Sequence, residues 1–306
     1  MRIFLDNCLG HVTIQRMLPY WKNLGIEVSE KSKNCTNQLS YVRISEKSNL
    51  PITLRLDGIY YNSEINYIGK NASISTAHSI VNSIVYQSEY CKKACEIYLS
   101  KRKGKYSIIY NGIEENWCGV HIPQKEPQIV IASKWRRHKR LKEIIDLFYD
   151  YLKFYPKAIL HVFGKLHDNP IPNHPNIIYY GHVSHEKMKE IFRLSTLSIH
   201  LSKRDACPNS VVEAIGAGCP VITTNACGGA TEMCELTPGC VIINGEINDF
   251  TPVPHYTDEY NKLDSSVYNE ILKSMINLTA NPIRVKVPEK LSIEYMAKKY
   301  IEIMEK

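Results

Sequence analysis

Short apolar, β-branched runs alternate with amphipathic stretches from one end of the chain to the other, the pattern of a parallel sheet covered by helices. In the first part, runs at 2–6, 26–30, 41–45, 52–57, 84–88 and 107–111 predict strands, and 12–24, 66–82 and 89–102 predict helices. The stretch 121–127 carries two prolines and no periodicity and reads as a linker. A second strand series then runs 128–133, 158–164, 176–181, 197–202, 220–224 and 240–243. Leu141, Ile144, Ile145, Phe148 and Leu152 form one apolar stripe at helical spacing, and Met188, Ile191 and Phe192 form another. These stripes are core faces. After Pro288 a last helix is expected over 292–305. The pattern predicts an α/β protein of two Rossmann-like lobes facing across a cleft. Its expected parts are a first lobe at 1–122, a second at 123–290, and a terminal helix at 291–306 that can pack back on the first.

Composition narrows the class. The 306 residues are 44% hydrophobic and 23% charged, an ordinary globular balance. No run approaches the ~18 apolar residues of a membrane span, and Asp6 interrupts the apolar start too early for a signal peptide. A cytoplasmic protein, peripheral at most at the inner membrane face, is the expectation. Ten scattered cysteines then fit reduced thiols used as small hydrophobes. Cys91 and Cys95 share a helical face but lack two further zinc ligands nearby, so no metal is expected. The glycosylation triplets at Asn34, Asn71 and Asn277 are chance matches unless the chain is secreted.

The net charge of +7 is unevenly spread. Lys101, Arg102, Lys103 and Lys105 follow a helix that also carries Lys92 and Lys93, and Lys134 to Arg140 follows a strand. Each run is a solvated face, or fits a partner with phosphates, or fits an anionic membrane surface. Nucleic acid is not among the expected partners.

Chemically expressive residues fall just after strands, where open α/β sheets bind ligands. Arg55 and Asp57 end the fourth strand, Ser133 to Arg140 follow the first strand of the second lobe, and Lys165 follows Gly164. Lys203, Arg204 and Asp205 follow 197–202, and Gly228 and Gly229 follow 220–224. No Gly-x-Gly-x-x-Gly follows the first strand, which argues against a nicotinamide enzyme.

The most informative stretch runs from Asp205 to Ile222. A loop acid, Asp205, precedes a short helix opening at about Ser210 with Glu213 in its first turn; Gly218 stops the helix and Pro220 leads into the next strand. This order resembles the core motif of the retaining glycosyltransferases of family 4, which have the GT-B fold. The residues that carry it are Asp205, Glu213, Ala214, Gly218, Pro220-Val221 and Gly228-Gly229-Ala230-Thr231-Glu232. Tyr110-Asn111-Gly112-Ile113 is similar to the family's interdomain turn, and Arg55-Leu56-Asp57-Gly58 looks like an acceptor-lobe motif of some members.

The resemblance implies transfer of a sugar, with retention, from a nucleotide diphosphate sugar to a hydroxyl of a glycan, glycolipid or other acceptor, with no cofactor and no metal. Cations bind the phosphates and carboxylates bind the diols of such a donor. By resemblance the catalytic group is Asp205, Glu213, Lys139 and Arg137, with Lys134 and Arg136 as alternatives to Arg137. Gly164, Lys165, Asn209, Ser210, Val211, Gly228 and Gly229 would contact the donor, the amino end of the helix offering an anion site. Family members more often have Glu where Asp205 stands. Ser210 to Glu213 also reads as a capping box, in which Glu213 would serve the helix and not a ribose. On the first lobe Arg55 and Asp57 point the same way and form an ion pair or touch the acceptor. His11 and His78 are structural, solvated or acid/base groups there. Two other readings stand: a different GT-B enzyme such as a sugar-nucleotide epimerase or a hydrolase, and a non-catalytic nucleotide- or partner-binding subunit.

Overall fold

The computed structural model describes residues 1–99, 101–102, 104–119, 124–167, 172–247, 249–256 and 262–305. The chain divides into two compact α/β units. One comprises Met1–Tyr61, Ile65–Glu114 and Glu289–Lys306; the other comprises Asn62–Glu64 and Glu115–Pro288.

In the first unit the elements are β1 (Arg2–Asp6), α1 (Val12–Asn23), β2 (Glu27–Ser29), β3 (Asn37–Tyr41), β4 (Ile52–Leu56), α2 (Tyr67–Ile80), β5 (Ser83–Tyr86), α3 (Glu89–Tyr98) and β6 (Lys105–Ile108). All six strands are parallel, in the order β2-β1-β3-β4-β5-β6. The strand expected at 41–45 lies earlier, at Asn37–Tyr41, because Val42 turns left-handed (φ 65°) and ends it. Polar Gln38 and Ser40 hide this strand in the sequence, yet both are buried and donate to the Asp6 carboxylate. The helix expected over 89–102 stops at Tyr98.

The second unit contains β7 (Gln128–Ala132), α4 (Leu141–Leu152), β8 (Ile159–Phe163), β9 (Ile177–Gly181), α5 (His185–Leu194), β10 (Leu197–His200), α6 (Asn209–Gly216), β11 (Val221–Thr224), α7 (Gly229–Glu235), β12 (Val241–Ile243) and α8 (Ser265–Ala280). Its parallel sheet has the order β12-β11-β10-β7-β8-β9, the doubly wound Rossmann arrangement. The direction of winding reverses between β7 and β10, so the loops leaving those two strands diverge and open a crevice. The stripe on α4 packs against Val267, Ile271, Met275 and Leu278 of α8 in the main core of this unit. No helix was expected at α8, although the spacing of those four residues is helical. Residues 121–123 of the expected linker lie outside the described residues. The ten cysteines are unpaired, seven of them buried.

The terminal helix α9 (Ile293–Glu305) belongs to the first unit, where Met296, Ala297 and Tyr300 join the core of α1 and β1. Trp21 Nε1 donates to the Ala297 carbonyl at 3.1 Å. Ile113 forms a parallel bridge with Ser292, and a Cβ on Gly112 would sit 2.8 Å from Ile293 Cα and from the Ser292 carbonyl oxygen. Gly112 therefore serves the docking of the terminal segment, since any side chain would push it away. Gly112→Ala is expected to lower unfolding free energy by about 1–3 kcal/mol through overpacking. A denaturant midpoint unchanged from the parent chain would contradict this contact.

Candidate functional site

The loops after β7 and β8 run side by side. Ser133 donates to Phe163 O at 3.2 Å, Trp135 N to Lys165 O at 2.9 Å, and His167 N to Trp135 O at 2.9 Å. The buried Trp135 ring adds a bond from Nε1 to Phe163 O at 2.8 Å. This approach requires Gly164, which has φ 103° and whose Cβ would fall 1.9 Å from Ser133 O. The paired loops form one wall of a pocket of about 440 Å³. Ser133, Lys134, Gly164 and Lys165 come from that wall, His182, Val183, His185 and Met188 from the β9 loop and α5, and Asp205, Asn209, Ser210 and Glu213 from the β10 loop and α6.

Lys139 is held in place by its neighbour. Residues 137–139 form a single 3₁₀ turn, after which Arg140 adopts a left-handed conformation (φ 59°). The fully buried Arg140 guanidinium grips Glu246 with both terminal nitrogens, Nη1 to Oε2 at 2.8 Å. Glu246 also accepts from Thr224 Oγ1 and lies 3.5 Å from Lys203 Nζ. Burial disfavours its ionisation, but Arg140 and Thr224 outweigh that and hold its carboxyl below the usual range. Lys139 then reaches Asp205, with Nζ 2.6 Å from Oδ2. Burial again opposes the charge on Asp205, and Lys139 and His200 overcome it, so the carboxyl stays ionised.

The backbone of Asp205 is fixed as well. Arg204 is left-handed (φ 57°) and pairs with Asp249, and Gly229 N donates to Asp205 O at 2.7 Å. This changes the expected part of the glycine loop. Gly228 (φ 63°, ψ −124°) starts α7, and Gly229 spends its N–H on the Asp205 carbonyl. Val211 is buried in α6 and does not line the pocket.

The alternative reading of Ser210 to Glu213 as a capping box does not hold. Pro208 is the cap of α6, Asn209 its first residue, and Glu213 falls in the second turn, buried on the pocket side. Of the cations in this loop Lys134 lines the pocket, whereas Arg137 and Lys139 are not among its lining residues; the backbone N–H of Arg137 donates to His255 O at 3.0 Å. His182, His185 and His200 were not singled out from the sequence, because isolated histidines carry no motif, and Met188, read there as part of a core face, lines the pocket.

In the first unit Arg55 is fully buried. It donates to Tyr300 Oη at 2.7 Å, Asn111 Oδ1 at 2.8 Å and Gln87 Oε1 at 3.0 Å, with Nε 3.3 Å from Asp57 Oδ1. His78 is also fully buried and shares a 2.8 Å hydrogen bond with Tyr86 Oη. Both side chains are enclosed within the first unit and bonded there. Asp57 is exposed and accepts from Tyr41 Oη, on whose ring His11 stacks at 3.5 Å. Burial lowers the proton affinity of His11. The basic segment is partly spent on structure: Arg102 donates to the His78 and Val81 carbonyls at the end of α2, and Lys92 pairs with Glu96 at 2.9 Å. Lys103 lies outside the described residues, among which no helix is long and apolar enough to cross a membrane.

Residues 114–251 match the family described as glycosyl transferases group 1. No curated protein matches the sequence. Among solved structures, the pneumococcal O-GlcNAc transferase GtfA in complex with UDP and GlcNAc is similar with a TM-score of 0.63 at 12% identity, over 94% of this chain. This chain spans only 58% of that protein's length. AviGT4, a glycosyltransferase involved in avilamycin A biosynthesis, has a TM-score of 0.63 at 10% identity, covering 100% of this chain and 97% of its own. HepE of Anabaena in complex with UDP-glucose has a TM-score of 0.61 at 13% identity, covering 99% and 97%. The segment that builds the pocket thus matches glycosyl transferases group 1, and the two parallel α/β halves have the GT-B fold.

Burial pushes the imidazoles of His161, His200 and His255 from 6.5 down to about 4. Between those values the unfolded chain binds more protons than the folded one. Stability is therefore expected to be full above about pH 6.5 and to fall as pH drops toward about 4. Urea titrations along this range check it, and His161→Gln should flatten the slope; equal slopes in variant and parent would count against buried neutral imidazoles.

Proposed function

We propose that this chain is a glycosyltransferase that moves a sugar from a nucleotide diphosphate sugar to an acceptor hydroxyl with retention, as the family 4 resemblance implies. The observation that carries the reading is the composition of the pocket at the β7/β10 switch point: Lys134, Lys165, the amino end of α6 and the acids Asp205 and Glu213 converge on it. Lysines and the amino end of a helix suit a diphosphate, and a buried carboxylate suits a ribose diol. Glu213 is assigned to the ribose, with Asn209 and Ser210 beside the phosphates. Gly164 and Lys165 line the side where the base would lie. The neighbours' complexes make UDP-sugars the first donors to try.

In the mechanism that follows, no protein nucleophile is needed. The cations stabilise charge as it develops on the leaving diphosphate, and that group takes the acceptor's proton on the same face. Lys139, Lys134 and Lys165 supply the positive charge, so transfer should persist in a chelator. Asp57 and His11 remain the acceptor-side candidates of the first unit, and a glycan or glycolipid hydroxyl is the acceptor class. The exposed Lys93, one helical turn before the exposed Ile97 on α3, and the exposed Lys101 that follows the helix extend the proposal to an anionic membrane.

Lys139→Ala and Glu213→Ala are each expected to lower the transfer rate about 10²–10³-fold with the fold retained. Product analysis over a panel of UDP-, GDP- and ADP-sugars reads this. Donor turnover without acceptor would instead favour an epimerase or hydrolase, and binding without turnover would favour a non-catalytic subunit. Vesicles containing phosphatidylserine should retain the chain at low salt and release it at high salt; retention insensitive to salt would remove the membrane from the proposal.

A further inference from the structure

His200, the last residue of β10, is 6% exposed, and its Nε2 has no hydrogen-bond partner among the described residues. That nitrogen lies 3.7 Å from Asp205 Oδ2, the oxygen that Lys139 Nζ holds at 2.6 Å. A buried polar atom left just beyond bonding distance costs free energy unless another state of the site satisfies it. Such a state would arise if an anionic donor drew Lys139 away, because Asp205 would then keep its charge in a partly buried place with its closest partner gone.

We propose that His200 is a positioning residue that takes over the Asp205 carboxylate when Lys139 turns to the donor's diphosphate, and that the imidazole gains a proton from solvent in doing so. The inference rests on reading the pocket as a nucleotide-sugar site. Its balance is one proton from bulk solvent onto the ring, with no other bond made or broken.

The groups that face His200 support the direction of this step. Asp205 raises its proton affinity and Lys139 lowers it, while burial keeps the unliganded ring neutral. From β11 and the loop after it, Thr223 Oγ1 and Cys227 Sγ donate to the His200 carbonyl and not to its ring, and burial keeps that thiol protonated. Withdrawal of Lys139 removes the opposing cation and frees the carboxylate, so both changes favour imidazolium. The bound form then holds more protons than the free form, and donor affinity rises as pH falls.

Titration calorimetry tests this with the whole chain and UDP-, GDP- and ADP-glucose, whose diester phosphates stay ionised across the assay range. Repeating the titration in buffers of different ionisation enthalpy, between about pH 5 and 8, counts protons. The expected result is uptake approaching one proton at the acid end, with affinity gaining up to about tenfold per pH unit there. His200→Gln and His200→Asn should abolish the uptake and flatten the pH dependence. Asp205→Asn should do the same and serves if the histidine variants fail to fold. Binding without proton uptake, or uptake unchanged in the variants, overturns the role of His200 alone. Absence of binding by every donor overturns the nucleotide-sugar reading and this inference with it.

Discussion

The ion pair between Arg140 and Glu246 is the constraint on which the pocket's geometry depends. Arg140 is fully buried in a left-handed conformation, at the junction between the β7 loop and α4. Its guanidinium ties that junction to a carboxylate beyond β12 that also accepts from Thr224 at the end of β11. Removing one partner of such a pair leaves a charge stranded in the interior, which typically costs about 3–5 kcal/mol. The loop therefore has one place to sit, and Lys139, one residue earlier, inherits that position. Asp205 meets it from the other side of the switch point, with its own backbone held by Gly229.

The charges of the second unit fall into two kinds. Inner cations are already compensated: Arg140 by Glu246, Arg204 by Asp249, Lys139 by Asp205. Outer ones, Lys134 and Lys165, are exposed on the pocket wall. Buried pairs fix geometry, while exposed lysines are adaptable and individually worth little. The first unit uses the same device for a different end. Arg55, equally buried, joins β4 to Tyr300 of the terminal helix and to Asn111, and so holds the carboxyl edge where Asp57, Tyr41 and His11 meet.

Much of this was legible in the sequence. The alternation of apolar runs and amphipathic stretches located most strands, since a strand buried on both faces must be apolar throughout. Where polar residues are buried the signal failed: Gln38 and Ser40 made β3 look like a loop because the Asp6 carboxylate that satisfies them lies on another strand. The acid–helix–glycine stretch marked Asp205, Asn209, Ser210 and Glu213, and all four line the pocket. The start of α6 was misplaced by a residue, which turned Glu213 from a first-turn residue into a buried second-turn one.

The chain alone determined the class of the fold, most of its strands and the strand ends at which chemistry collects, because these follow from local periodicity and from residue type. It did not determine which cations reach the pocket, since Lys134, Arg136, Arg137 and Lys139 stand within six positions and differ only in the turn each occupies. The left-handed turn at Arg140, the Ser133 contact that only Gly164 allows, and the enclosure of Arg55 and His78 are tertiary decisions. Each rests on partners from another strand or loop. A side chain's burial, and with it its charge state and its reach, is set by what packs around it in space and not by its neighbours along the chain.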